Sequence, residues 1–215
     1  MIVESHEFQY TINLKAIVTV PDNFDPKKES LPMIVFLHGA GERGDNLELL
    51  KAYGIPRIFT ADNNFAGLRV ITLSPQCPAN MVWTQIEDQT MEFIDMMAKK
   101  YNADPDRISL SGVSMGAFGT WALACSHAGY FSAYAPICGG GMAWRAAEIG
   151  KTPIRAFHGA KDDIVIPERS KEMVDAVNKA GGNATLTIFE GWGHNSWIPA
   201  FEGDELVKFL AESHR

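Results

Sequence analysis

Residues 107–121, "RISLSGVSMGAFGTW", pass from alternating apolar residues to a glycine-flanked serine and then to small, helix-compatible residues. A serine between two glycines, where a strand pattern gives way to a helix pattern, is the signature of a nucleophile elbow. Gly112 and Gly116 would allow a tight turn that lifts the Ser114 hydroxyl above a sheet. A plain glycine-rich turn reads the same way locally, so the rest of the chain has to supply the context.

Outward from the serine, strand patterns alternate with helix patterns. "MIVFLHG", "LRVITLS", "RISLSG", "SAYAPICGG", "PIRAFHG" and "ATLTIFEG" are short, rich in β-branched or aromatic residues, and mostly end in glycine, as buried parallel strands do. Helix patterns lie between them. Thr84 and Glu87 have capping-box spacing ahead of Met91, Ile94 and Met97. "MGAFGTWALACSHAG" reads as a helix starting at the elbow, and "PERSKEMVDAVNKAGG" opens on Pro167 and closes on Gly181 and Gly182. "PAFEGDELVKFLAESHR" reads as a last helix, and "EFQYTINLKAIVTV" as one or two edge strands. The alternation predicts a mostly parallel, doubly wound α/β sheet flanked by helices, with its ligand site beyond the C-terminal strand ends.

The chemistry-bearing residues fall at those ends. Ser114 follows one strand, Asp162 and Asp163 follow "PIRAFHG", His194 follows "ATLTIFEG", and "HGAGERG" follows "MIVFL". A serine hydroxyl is a weak nucleophile at neutral pH. It needs an imidazole to take its proton and a carboxylate to hold that imidazole in the right tautomer. The oxyanion formed on attack needs backbone donors, here expected from Ala40 and Met115. His38 and His158 sit at strand ends but outside this order and are read as structuring their loops, and Glu42 and Arg43 as bracing the loop that carries Ala40. Trp83, Trp144, Trp192 and Trp197 lie in loops and are candidate pocket walls.

Composition narrows the partners. At 215 residues and 46% apolar content, one core over residues 1–215 is expected. A net charge of −7 and the absence of a basic run argue against nucleic acid or an anionic membrane. Cys77, Cys125 and Cys138 form no C-x-x-C pair, and no ligand spacing points to a metal or another cofactor. The N-terminus has no basic start or apolar core typical of a secretory signal, so a cytoplasmic protein is expected. A mature secreted form would look the same.

Taken together, "LHGAGERGDN", "PQCP" followed by Trp83, "DPDRISLSGVSMGAFGTWALA", "PICGGG", "HGAKDDIVIP" and "GWGHNSW" resemble serine esterases of the α/β-hydrolase fold. The likeness is to the compact phospholipase/carboxylesterase-like, polyhydroxybutyrate-depolymerase-like branch, related to feruloyl and acetyl-xylan esterases. It implies Ser114 as nucleophile, His194 as base, Asp162 as the acid, and Ala40 and Met115 as oxyanion donors. Ala117, where a second glycine is common, and Ile198, where aspartate is common, depart from the pattern at the pocket rim. The implied substrate is a small ester, of a short or hydroxycinnamoyl acid, whose alcohol portion is suited to a carbohydrate. The "GGGMAWRAAEIGKT" connection is too short for a lid domain. The same residues would serve a peptidase or acyl-peptide hydrolase, and the fold also occurs in binding modules without catalysis.

Overall fold

A computed structural model describes residues 11–215. Its centre is a seven-stranded sheet in the order β1-β3-β2-β4-β5-β6-β7. The strands are β1 (Lys15–Thr19), β2 (Leu31–Leu37), β3 (Ile71–Gln76), β4 (Ala103–Val113), β5 (Ala133–Ile137), β6 (Ile154–Gly159) and β7 (Ala184–Phe189). Only β1 runs antiparallel to its neighbour, β3. It is the one strand expected from "EFQYTINLKAIVTV" that is seen, and residues 7–10 of that stretch lie outside the described residues.

Both sheet faces are covered, which explains the nearly continuous apolar runs. Along β2, Met33, Val35 and Leu37 pack with Leu73, Leu110, Trp121 and Met173 on one face. Ile34 and Phe36 pack with Ile55, Phe59, Val207 and Leu210 on the other. The first face therefore carries α2 (Glu87–Lys100), α3 (Met115–Ser126) and α4 (Glu168–Lys179). The second carries α1 (Gly54–Ala61) and α6 (Glu205–Glu212). Truncating Trp121 or Phe36, both fully buried, to alanine should cost about 3–5 kcal/mol.

Two readings change, and one helix, α1, was not anticipated. The capping box at Thr84 does not form. Trp83–Gln85 is a 3-10 turn in which the Gln85 side chain accepts from the Val82 amide at 3.1 Å, and α2 starts only at Glu87. Trp83, at the start of this turn, is buried. The last helix is split into α5 (Trp197–Ala200) and α6, with Gly203 at φ 77° between them. Helix α1 carries Pro56 as its third residue, within the first turn, where the missing N–H has no partner to lose. No helix among the described residues is long and apolar enough to cross a membrane. The link between β5 and β6 holds one 3-10 stretch, Ala143–Ile149.

Candidate active site

The turn between β4 and α3 forces Ser114 into φ 52°, ψ −117°, a backbone region non-glycine residues rarely adopt. The two flanking glycines make this turn possible. A Cβ on Gly112 would lie 2.3 Å from the Gly116 carbonyl oxygen, and one on Gly116 would lie 2.0 Å from the Leu37 oxygen. The chain crosses too closely for any side chain, so the spacing of the motif follows from packing.

Ser114 Oγ lies 2.8 Å from His194 Nε2, and His194 Nδ1 lies 2.8 Å from Asp162 Oδ2. The carboxylate can only accept, so His194 Nδ1–H donates to it and Nε2 is free to accept from the serine hydroxyl. Asp162 Oδ1 takes the amides of Ile164 and Val165 at 3.0 and 2.9 Å. Burial pushes the Asp162 carboxyl upward, but the bonds from His194 and these two amides outweigh it and hold the group below the usual carboxylate range. Asp163 is exposed, and of the two adjacent aspartates only Asp162 bonds His194.

Facing Ser114 is the loop after β2. Ala40 opens a 3-10 turn and Met115 opens α3, so neither amide has an intrahelical acceptor. No other acceptor among the described residues takes them. The loop is braced from several sides. The Gly39 amide donates to Tyr53 Oη at 3.0 Å, and Tyr53 in turn donates to the Glu42 carboxylate. Arg43 Nε donates to the Ala40 carbonyl at 2.9 Å. His38 donates from Nδ1 to the Gly39 carbonyl at 2.6 Å and accepts the Cys77 amide on Nε2 at 2.9 Å. Its own carbonyl takes the Trp83 indole N–H at 3.0 Å. Burial lowers the His38 pKa to about 4. Burial, followed by the bond to Glu42, pushes the Tyr53 phenol far above its ordinary value.

The four tryptophans divide. Trp83 is buried, yet it joins Val82, Thr84, Met115 and Phe118 around a cavity of about 320 Å³ that opens on Ser114. Trp197 stands edge-on to His194 at 5.8 Å and packs on Tyr53 at 5.0 Å. Trp144 is 80% exposed on the Ala143–Ile149 turn, and neither it nor Trp192 lines the cavity beside Ser114, so these two expected walls are not part of it. The Trp192 carbonyl accepts the Lys161 amide at 2.9 Å, in the turn before His194. Phe118 and Tyr53 were not anticipated. Phe118 follows Ser114 by one helical turn, a spacing that puts it on the same side of α3.

Cys77, Cys125 and Cys138 are buried and unpaired. Cys138 Sγ, Asp162 and His194 offer ligand atoms within 4.8 Å of one another. Burial pushes the Cys138 thiol up to about 12, and the other two groups are bonded to each other, a poor arrangement for holding an ion. A cavity of about 380 Å³ near Ala103, Pro105 and Tyr130 lies at the opposite end of β4, away from these groups.

Residues 74–201 match the dienelactone hydrolase family. The chain belongs to the dienelactone hydrolase family. It is similar to the bifunctional acetylxylan esterase/xylanase XynS20E of Neocallimastix patriciarum, 37% identical over 120 residues that cover 47% of this chain and 17% of the relative. It superposes on a thermostable esterase with a TM-score of 0.85 at 31% identity, covering 95% of this chain and 60% of that one. It also superposes on the feruloyl esterase module from Clostridium thermocellum complexed with sinapinate, with a TM-score of 0.73 at 16% identity, covering 93% and 84%. The chain thus spans less than two thirds of the first two relatives. The fold is that of the α/β-hydrolases, as the motifs imply.

Proposed function

We propose that this protein is a serine carboxylic ester hydrolase that works through an acyl-enzyme on Ser114. The observation that carries the reading is the unbroken hydrogen-bonded run from Asp162 through His194 to the strained Ser114. In the proposed cycle His194 Nε2 takes the hydroxyl proton as Ser114 Oγ attacks the ester carbonyl. Asp162 holds Nδ1–H and stabilises the imidazolium that forms. The Ala40 and Met115 amides, which lack other acceptors, receive the developing oxyanion. Collapse expels the alcohol with the proton from His194. A water then repeats the sequence and frees the acid.

The substrates proposed are esters of short acyl groups or of aromatic acids of the hydroxycinnamoyl kind, with a carbohydrate as a fitting alcohol. Support comes from the apolar cavity of about 320 Å³ beside Ser114, walled by Trp83, Met115 and Phe118. The relatives named for acetylxylan and feruloyl esters agree with this choice. A panel of p-nitrophenyl esters from acetyl to dodecanoyl, with methyl sinapinate and matching amides, tests it. Highest kcat/KM is expected on acetyl to butyryl or hydroxycinnamoyl esters. A rate that climbs steadily beyond about eight carbons, or faster cleavage of amides than esters, contradicts it.

A further inference from the structure

His158, the penultimate residue of β6, is fully buried and takes no part in the cycle above, yet it touches the carboxylate that the cycle depends on. Its Nε2 faces the Val165 carbonyl at 2.7 Å and Asp162 Oδ2 at 3.1 Å. A carbonyl oxygen only accepts, so this nitrogen carries a proton. Its Nδ1 lies 2.7 Å from Ser170 Oγ, and Ser170 Oγ lies 2.7 Å from the Gly139 carbonyl. Ser170 has one hydroxyl proton. The Gly139 oxygen has none to give, so the serine donates there and must accept from His158. The second ring nitrogen is then protonated as well.

We infer that His158 carries a proton on each ring nitrogen and acts as a positioning residue that locks the Asp162 carboxylate onto His194. This rests on the Ser114–His194–Asp162 reading proposed above. Asp162 has both oxygens engaged. Oδ1 is held by two loop amides, and Oδ2 is shared between the N–H of His194 and the N–H of His158. The amides alone leave the carboxylate free to swing about the line through Oδ1. The His158 contact removes that freedom and ties it through Ser170, in the first turn of α4, to Gly139 just after β5. Gly139 is itself pressed against the nucleophile helix, where an added Cβ would lie 2.5 Å from Ala117 Cβ. The run from Gly139 through Ser170, His158, Asp162 and His194 thus returns to Ser114, so the base is set from the β5–β7 side of the sheet.

Imidazole nitrogen–proton correlation spectra of the 15N-labelled wild-type protein near pH 7 test the proton count directly. Two protonated ring nitrogens are expected for His158 and one for His38, which serves as the internal reference. A bare ring nitrogen on His158 overturns the inference. His158→Leu is expected to lower kcat ~100-fold with KM little changed, and to move the hydrogen-bonded Nδ1 proton signal of His194. His158→Gln, which keeps an N–H near the Nε2 position, should recover kcat to within about tenfold of wild type and restore that signal. A wild-type kcat in the leucine variant sinks the positioning role. If that variant does not fold, the wild-type spectrum and the glutamine variant decide. Failure of a fluorophosphonate to label Ser114 in the wild-type protein would defeat the underlying reading, whereas a labelled enzyme with a bare nitrogen on His158 defeats only this one.

Discussion

His38 and His158 stand in the same dipeptide in equivalent places: histidine before glycine at the C-terminal end of an interior parallel strand, each almost wholly buried. Their neighbours set them apart. His38 meets one donor, the Cys77 amide, and one acceptor, the Gly39 carbonyl, so its ring is satisfied with a single proton and stays neutral. His158 faces the Val165 carbonyl and the Asp162 carboxylate on one side and, by the inference above, an accepting Ser170 hydroxyl on the other. The neutral ring braces the loop that carries Ala40, and the other touches Asp162, the carboxylate proposed as the acid. A buried histidine's role is written in what its two nitrogens face, which lies far away in sequence.

The comparison breaks most severely at the residue the second histidine supports. Asp162→Asn should lower kcat by ~10⁴ on an activated ester, because the wrong His194 tautomer is favoured, and a loss under tenfold speaks against the role assigned to Asp162. The first histidine is probed by pH. Its folded pKa, about 4, lies below the ordinary 6.5, so the unfolded chain takes the proton first as pH falls. The stability contributed by neutral His38 is therefore whole above about pH 6.5 and is lost progressively toward pH 4, by roughly 3 kcal/mol. Urea melts across that window should show this slope, and His38→Asn should flatten it. A smaller effect is expected at the brace next to it. Tyr53→Phe removes the oxygen that accepts from Gly39 and donates to Glu42, and kcat should fall about tenfold. The smallest belongs to exposed Asp163, whose change to asparagine should alter kcat by less than about twofold.

Much of this site is local in sequence and can be read there. Ser114 announces itself by the glycines that its own turn requires. Asp162 and His194 sit directly after strands, so the strand pattern that places the sheet also places them. What escapes the sequence is contact between distant segments. Tyr53 reaches Glu42 and Gly39 across a helix start, and His158 reaches Gly139 through Ser170, and no pattern of spacing encodes either meeting. The tryptophans show the same limit. A loop position does not say whether the indole faces the cavity, as Trp83 does, or solvent, as Trp144 does. At α1, Pro56 masks a helix that burial of Ile55 and Phe59 secures. At the C-terminus, the interior glycine at 203 marks a break that periodicity alone runs through.

The central claim is that His194 activates Ser114 as the nucleophile. Its most direct test is stoichiometric labelling with a fluorophosphonate, followed by intact mass and peptide mapping of the wild-type protein and of Ser114→Ala. The account predicts one adduct per chain on Ser114 and none in the alanine variant. An adduct carried by Cys138, or undiminished labelling of Ser114→Ala, would contradict it.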